Sequence, residues 1–250
     1  YLRNPAYRPR PEEPDGLAGG KVAKLERIEW LSMPDAATAA AALQTGEIDF
    51  IEQPSPDLVP VLERNRNIRL FALNPVGFMV WLRINHLHPP FNDPRARIAL
   101  LHLINQQDVL NAVGVRPSEQ VPYCPAYFFC NSPLESHAGA VGLRQPDVEK
   151  ARALLREAGY DGRRVVFMNA ADSPINNAAT LTMAETFAKA GLAMDVPTMD
   201  WATLTQRRNR REPPEQGGWN LFVTVANVLD GQNLQRYLYL ARRCEGGLTG

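Results

Sequence analysis

Residues 150–168 read Lys150-Ala151-Arg152-Ala153-Leu154-Leu155-Arg156-Glu157-Ala158-Gly159-Tyr160, then Asp161-Gly162-Arg163, then Arg164-Val165-Val166-Phe167-Met168. Ala151, Leu154, Leu155 and Ala158 recur at helical spacing, so residues 147–160 predict a helix with one apolar face, and Gly159 sits where that helix closes. The β-branched and aromatic run after it predicts a strand. Downstream the alternation repeats. Residues 175–190 predict a helix ended by Gly191, residues 193–199 a strand broken at Pro197, residues 200–211 a helix capped by Asp200, and residues 219–225 a last strand. Helices alternating with strands predict an α/β fold.

The same logic extends upstream. Residues 25–31 mix apolar and charged residues in near alternation and predict a strand with one buried face. An alanine-rich helix over residues 35–44 should start at Pro34-Asp35 and stop at Gly46. Residues 48–51 and 68–73 predict further strands around a short helix that Ser55-Pro56-Asp57 opens. Residues 78–85 are nearly all apolar, as expected of a strand covered on both faces. Asp93-Pro94 should cap a helix carrying Ile98, Leu101, Leu103 and Ile104 toward a core, followed by a short helix over 106–113 that ends at Gly114. Residues 8–22 and 116–145 read as irregular, and the second stretch holds the aromatic cluster Tyr123, Tyr127, Phe128 and Phe129.

Composition narrows the function. Over 250 residues, 45% are hydrophobic and 22% charged, which suits a globular chain, and 27 basic residues balance 27 acidic ones. That balance disfavours a nucleic-acid partner, and no apolar run reaches the roughly 18 residues a membrane span needs. Three cysteines leave at least one thiol unpaired within the chain. For Cys124, Cys130 and Cys244, burial as small apolar residues competes with a disulfide such as Cys130 to Cys244, and their spacing argues against a zinc site. His86 and His88 alternate as metal ligands on a strand can, but the flanking prolines favour a turn and no third ligand is evident. No phosphate loop, dinucleotide fingerprint or Gly-x-Ser-x-Gly occurs, so neither cofactor nor metal is expected.

Several strings in fixed order carry a resemblance. They are Asn4-Pro5-Ala6-Tyr7, Pro34-Asp35-Ala36-Ala37-Thr38, residues 42–49, residues 85–97, residues 150–160, Asp200-Trp201 with Arg207-Arg208, and Gly217-Gly218-Trp219-Asn220-Leu221. Together they resemble the family 5 extracellular solute-binding proteins, the dipeptide, oligopeptide and nickel receptors of ABC importers. The resemblance implies a periplasmic-binding-protein-like α/β fold of the class II (cluster C) type, present in part. Residues 1–80 would be the end of lobe one, and residues 81–250 most of lobe two without its final segment. It further implies a periplasmic or otherwise extracytoplasmic monomer that closes two lobes on a peptide or similar solute, docks on a membrane permease and catalyses nothing. A fragment of this kind is expected to bind solute more weakly than an entire receptor.

In peptide-binding relatives, a carboxylate just after the last strand meets the peptide amino terminus. Here that stretch is residues 225–231, where Asp230 can supply the carboxylate or Asn227 a neutral acceptor, while Ala226 stands where an aromatic is common. Asp230 is equally a candidate helix cap. Tyr127, Phe128 and Phe129 are expected either to wall the cleft or to plug the space beneath a long loop. Arg207, Arg208, Arg210 and Arg211 read as a solvated helix face, Asp93 with Arg95 and Arg97 as capping and surface pairing, and Trp201 as a helix anchor. Two competing functions remain at this level: an α/β hydrolase or transferase with Cys130 as nucleophile and His137 as base, and a solute-sensing or chaperone module on the receptor fold.

Overall fold

The computed structural model of the chain describes residues 1–15, 18–72, 77–117, 120, 135–138 and 145–227. The chain divides into two units, Tyr1–Ile51 and Glu52–Gly250. In the first, helix α1 spans Ala36–Thr45. Asp35 accepts from the Thr38 N–H at 2.7 Å and the Thr38 hydroxyl at 2.6 Å, which satisfies a donor that the helix start leaves free. Gly46 closes it at φ 78, a left-handed conformation that glycine adopts without a Cβ penalty.

The second unit is built on a mixed sheet. Its strands are β1 (Phe78–Ile84), β2 (Arg164–Ala170), β3 (Ala193–Asp195), β4 (Thr198–Met199) and β5 (Leu221–Asn227). The order is β1-β5-β2-β3, with β4 also on β2. β5 runs antiparallel to β1 and parallel to β2. β3 and β4 are two halves of one predicted strand, parted around Pro197, which lacks an N–H for the ladder but whose carbonyl accepts from the Asn169 N–H at 3.0 Å. The helices are α2 (Val59–Glu63), α3 (Pro94–Leu103), α4 (Gln106–Ala112), α5 (Val148–Glu157), α6 (Pro174–Lys189) and α7 (Trp201–Arg207).

Strand alternation in β2 divides the core in two. Val165 and Phe167 join residues of α3, α5 and α6 in one cluster, and Val166, Met168 and Ala170 meet Leu204, Trp219 and Phe222 in another. Phe167 stacks on Phe187 of α6 at 6.1 Å, and Trp219 meets Phe222 edge-on at 5.1 Å. α6 buries Asn176, Ala179, Thr180, Met183, Ala184 and Phe187, a stripe at helical period. Its carboxyl end is held by Arg152 of α5, which donates to the carbonyls of Lys189 at 2.9 Å and Ala190 at 3.3 Å.

Two buried asparagines lock the strand junction. The Asn85 N–H donates to the Asn220 carbonyl at 2.8 Å and its Nδ2 to the Trp219 carbonyl at 2.9 Å. The Asn220 N–H donates to the Val166 carbonyl at 2.9 Å, while its Oδ1 accepts from the Val166 N–H at 2.8 Å. Asn85 after β1 and Asn220 before β5 are thereby joined to each other and to Val166 within β2, where the ladder would otherwise end.

Several expectations change. Residues 25–31, 48–51 and the described part of 68–73 form no strand; Arg27 makes one isolated bridge, to Leu2. A strand exists only with a ladder partner, and among the described residues these segments have almost none. Ser55 makes no side-chain cap; Pro56–Leu58 form a 3₁₀ turn before α2. β1 is half-buried rather than covered on both faces; among the described residues it pairs only with β5 and lies at an edge of the sheet. Ile98 and Leu101 of α3 are exposed rather than turned toward the core, which takes Ala96, Ala99, Leu100 and Leu103 of that helix instead. α7 stops at Arg207, four residues short of the predicted end.

Replacing Asn220 with Ala is expected to lower unfolding stability by about 1–3 kcal/mol, because it strands the Val166 amide in the core. Arg3→Ala, which breaks only an exposed ion pair with Glu26, should change it by no more than about 1 kcal/mol. Urea denaturation of both variants checks the contrast.

Candidate functional site

Open α/β sheets bind ligands at the carboxyl ends of their parallel strands. β2 and β5 point the same way, with Phe167 opposite Leu221 and Met168 opposite Phe222. β2 stops two residues after Met168 and β5 five after Phe222, so β5 overhangs its neighbour by three residues, about 10 Å of strand. Among the described residues only β1 accompanies the overhang in the sheet, pairing Val80, Met79 and Phe78 with Val225, Ala226 and Asn227. Phe78, at the tip, is exposed.

Behind this edge lies a polar group of residues. Asn169, near the end of β2, donates through Nδ2 to Asn177 Oδ1 on α6 at 2.8 Å. Asn169 Oδ1, Asn176 Oδ1 and Thr180 Oγ1 are buried without hydrogen-bond partners among the described residues. Such groups are retained at a stability cost; these three lie at the carboxyl end of β2 and in the first half of α6, while His102 Nδ1, Arg208 Nε and Asn220 Nδ2 are likewise buried and unpartnered elsewhere among the described residues.

Asn227 ends β5 opposite Phe78. The remaining predicted contacts, Tyr127, Phe128, Phe129 and Asp230, lie outside the described residues, as do Cys124, Cys130 and Cys244. The histidine pair forms a turn, as the prolines favoured: His88 Nε2 lies 2.9 Å from the Arg211 carbonyl, while burial, then Arg97 and Arg83, push His86 below its ordinary pKa. Among the described residues no group of three His, Cys, Asp or Glu side chains converges on a metal position. Asp93 caps α3 and pairs with Arg95, whose hydrogen bonds hold its carboxyl down to about 2. Arg97 instead donates to the carbonyls of Phe91 at 2.6 Å and Asn92 at 3.1 Å.

The arginine run is not a uniformly solvated face. Arg207 is half-buried and donates through Nε to the Gly217 carbonyl at 3.1 Å and through Nη2 to the Gly218 carbonyl at 2.8 Å. Burial, followed by the neighbouring Arg210 cation, pushes its pKa down. The Arg208 carbonyl accepts from Trp219 Nε1 at 3.0 Å. A Cβ on Gly218 would lie 1.9 Å from the Glu212 carbonyl oxygen, so the tight approach to β5 requires glycine. Arg207 and Gly218 thus aim β5. Trp201 packs on the Trp219 side of the sheet, as expected.

Sequence reasoning missed the buried polar residues Asn85, Asn169, Asn176, Thr180, Asn220 and His102. The available signal was an asparagine beside an apolar run, in Ile84-Asn85 and Trp219-Asn220-Leu221.

Family comparison places this architecture. A model described as "Bacterial extracellular solute-binding proteins, family 5 Middle" matches residues 1–245, and the chain belongs to that family. It is 40% identical over 254 aligned residues, covering all of this chain and 48% of the relative, to a probable peptide ABC transporter periplasmic-binding protein, y4tO, of Sinorhizobium fredii. The glutathione-binding protein GsiB of Escherichia coli K12 is 32% identical over 146 residues, 55% of this chain and 25% of its own. Among solved structures, the periplasmic binding protein DppA of Helicobacter pylori in complex with peptide STSA superposes with TM-score 0.63 at 22% identity, over 84% of this chain and 38% of that one. NikA of Staphylococcus aureus superposes with TM-score 0.61 at 18% identity, over 78% and 39%. The fold is that of periplasmic binding proteins, and the chain spans about half the length of the first of these relatives.

His102 gives the unit a pH signature. It is buried, and burial followed by Lys150 lowers its pKa, partly opposed by Asp147. The unfolded chain therefore takes up a proton near the ordinary histidine value of about 6.5, where the folded chain still resists it. Stability is full above that value and falls as pH drops through it toward the folded value; His86 acts in the same sense. Denaturation midpoints measured between about pH 8 and 5 should fall for the wild type and fall distinctly less for the double variant His86→Gln, His102→Gln.

Proposed function

We propose that this chain is part of the substrate-binding component of an ABC importer. It works outside the cytoplasm, as a monomer, and captures a peptide or peptide-like solute by closing two lobes without transforming it. The observation that carries the reading is the alignment of the whole chain with a probable peptide ABC transporter periplasmic-binding protein at 40% identity. The glutathione-binding relatives support a peptide-like solute. In this reading residues 1–80 close lobe one and residues 81–250 make most of lobe two. The overhanging end of β5 then delivers Asn227 and the segment to Asp230 into the cleft, with Asp230 as the carboxylate for a peptide ammonium group. Tyr127, Phe128 and Phe129 supply an apolar wall.

Closure follows from differential binding. A solute that touches both lobes stabilises only the closed form, and the permease then recognises that form. Walls and hydrogen bonds suffice for capture, so no nucleophile or base is required.

Calorimetry with di- to pentapeptides on the full-length receptor containing this chain tests the proposal. One peptide class should bind at 1:1 and be recovered intact by mass spectrometry. Asp230→Ala should weaken it at least about tenfold, as loss of one partner of a buried charge pair does. Phe128→Ala should weaken it by a smaller factor. Chemical turnover of the solute, or affinity untouched by both substitutions, would contradict the reading.

A further inference from the structure

Asn169, Asn176 and Thr180 are buried, at 2%, 5% and 1% exposure, and solute capture gives them no task. They meet in one seam. By strand alternation Asn169 lies on the same face of β2 as Phe167, which stacks on Phe187 of α6. Asn176, Thr180, Met183 and Phe187 recur at helical spacing, so the two polar residues belong to the stripe of α6 that meets β2. The bond from Asn169 Nδ2 to Asn177 Oδ1 at 2.8 Å fixes the level, setting the first half of α6 against the carboxyl end of β2. Phe167, Met183 and Phe187 close the seam below with apolar surface.

Within the seam Asn169 Oδ1, Asn176 Oδ1 and Thr180 Oγ1 have no hydrogen-bond partner among the described residues. Turning the Asn169 amide over does not mend this, because it sets Oδ1 against Asn177 Oδ1. Turning both amides leaves Asn169 Nδ2 as the orphan instead. One unpaired buried polar atom is already costly, and three on facing elements call for a shared partner.

We propose that the β2–α6 seam is an internal hydration site, in which water donates to Asn169 Oδ1 and Asn176 Oδ1 and bonds the Thr180 hydroxyl. Water fits this set of groups. It brings two donors and two acceptors, and a buried water typically makes about three bonds to groups that would otherwise go unpaired. A metal or ammonium cation fits less well, because the three oxygens are neutral. The adjoining carboxylate, Asp172, is exposed and accepts from the Trp201 N–H at 2.8 Å. The three oxygens are shielded from solvent, so the site is separate from the solute contacts at the sheet edge and independent of the solute's identity.

A high-resolution crystal structure of the full-length protein and the stability of Thr180→Val test the proposal together. Water density should lie about 2.6–3.2 Å from at least two of the three oxygens. Losing the hydroxyl takes a bond from a water that stays, so Thr180→Val should lower the folding equilibrium constant at least about threefold in urea titrations. In a dry seam the same substitution removes an unpaired polar group and raises that constant. A raised or unchanged constant therefore overturns the proposal, and so does the absence of density at the site. A protein donor found on these oxygens overturns it as well, as does a peak whose height follows the sodium or potassium concentration, since the occupant is then a cation.

Discussion

The second unit depends on β5 being hydrogen-bonded in two senses at once, antiparallel to β1 and parallel to β2. The Asn220 side chain and backbone together grip Val166, and Asn85 grips residues 219 and 220 from the other side. These bonds are made in the dry interior, where an unmatched amide costs more than a made bond returns. Register is therefore set at the amino end of β5, with Arg207 and Gly218 fixing how the chain enters it.

Once that register is set, the geometry of the opposite end follows. β2 stops early and β5 continues with β1, so the sheet has a stepped carboxyl edge, backed by Asn169, Asn176 and Thr180. Ligand sites on sheets of this kind fall at such edges. Asn227, one of the proposed solute contacts, is the last residue of that overhang.

The parts of the fold legible in the sequence were those decided locally. Asp35, Asp93, Asp147 and Asp200 each cap the helix their sequence announced, and Pro197 breaks the strand it interrupts. Family membership was legible from ordered strings across the chain. What could not be read depended on distant partners. Residues 25–31 have the pattern of a strand, but pattern supplies no ladder. Arg207 looked like surface charge because the carbonyls it binds lie ten and eleven residues away across a turn. Asn227 read as lying just past a strand that ends at residue 225, whereas the strand runs on to it, and the roles of Tyr127, Phe128, Phe129 and Asp230 depend on tertiary neighbours that pattern does not reveal.

The central claim is that the carboxyl edge of β5 forms one wall of a solute cleft. A crystal structure of the full-length receptor grown with its bound solute tests it most directly. The account predicts intact solute within hydrogen-bond distance of residues 227–230; solute seated away from that edge, or found there chemically altered, would contradict it.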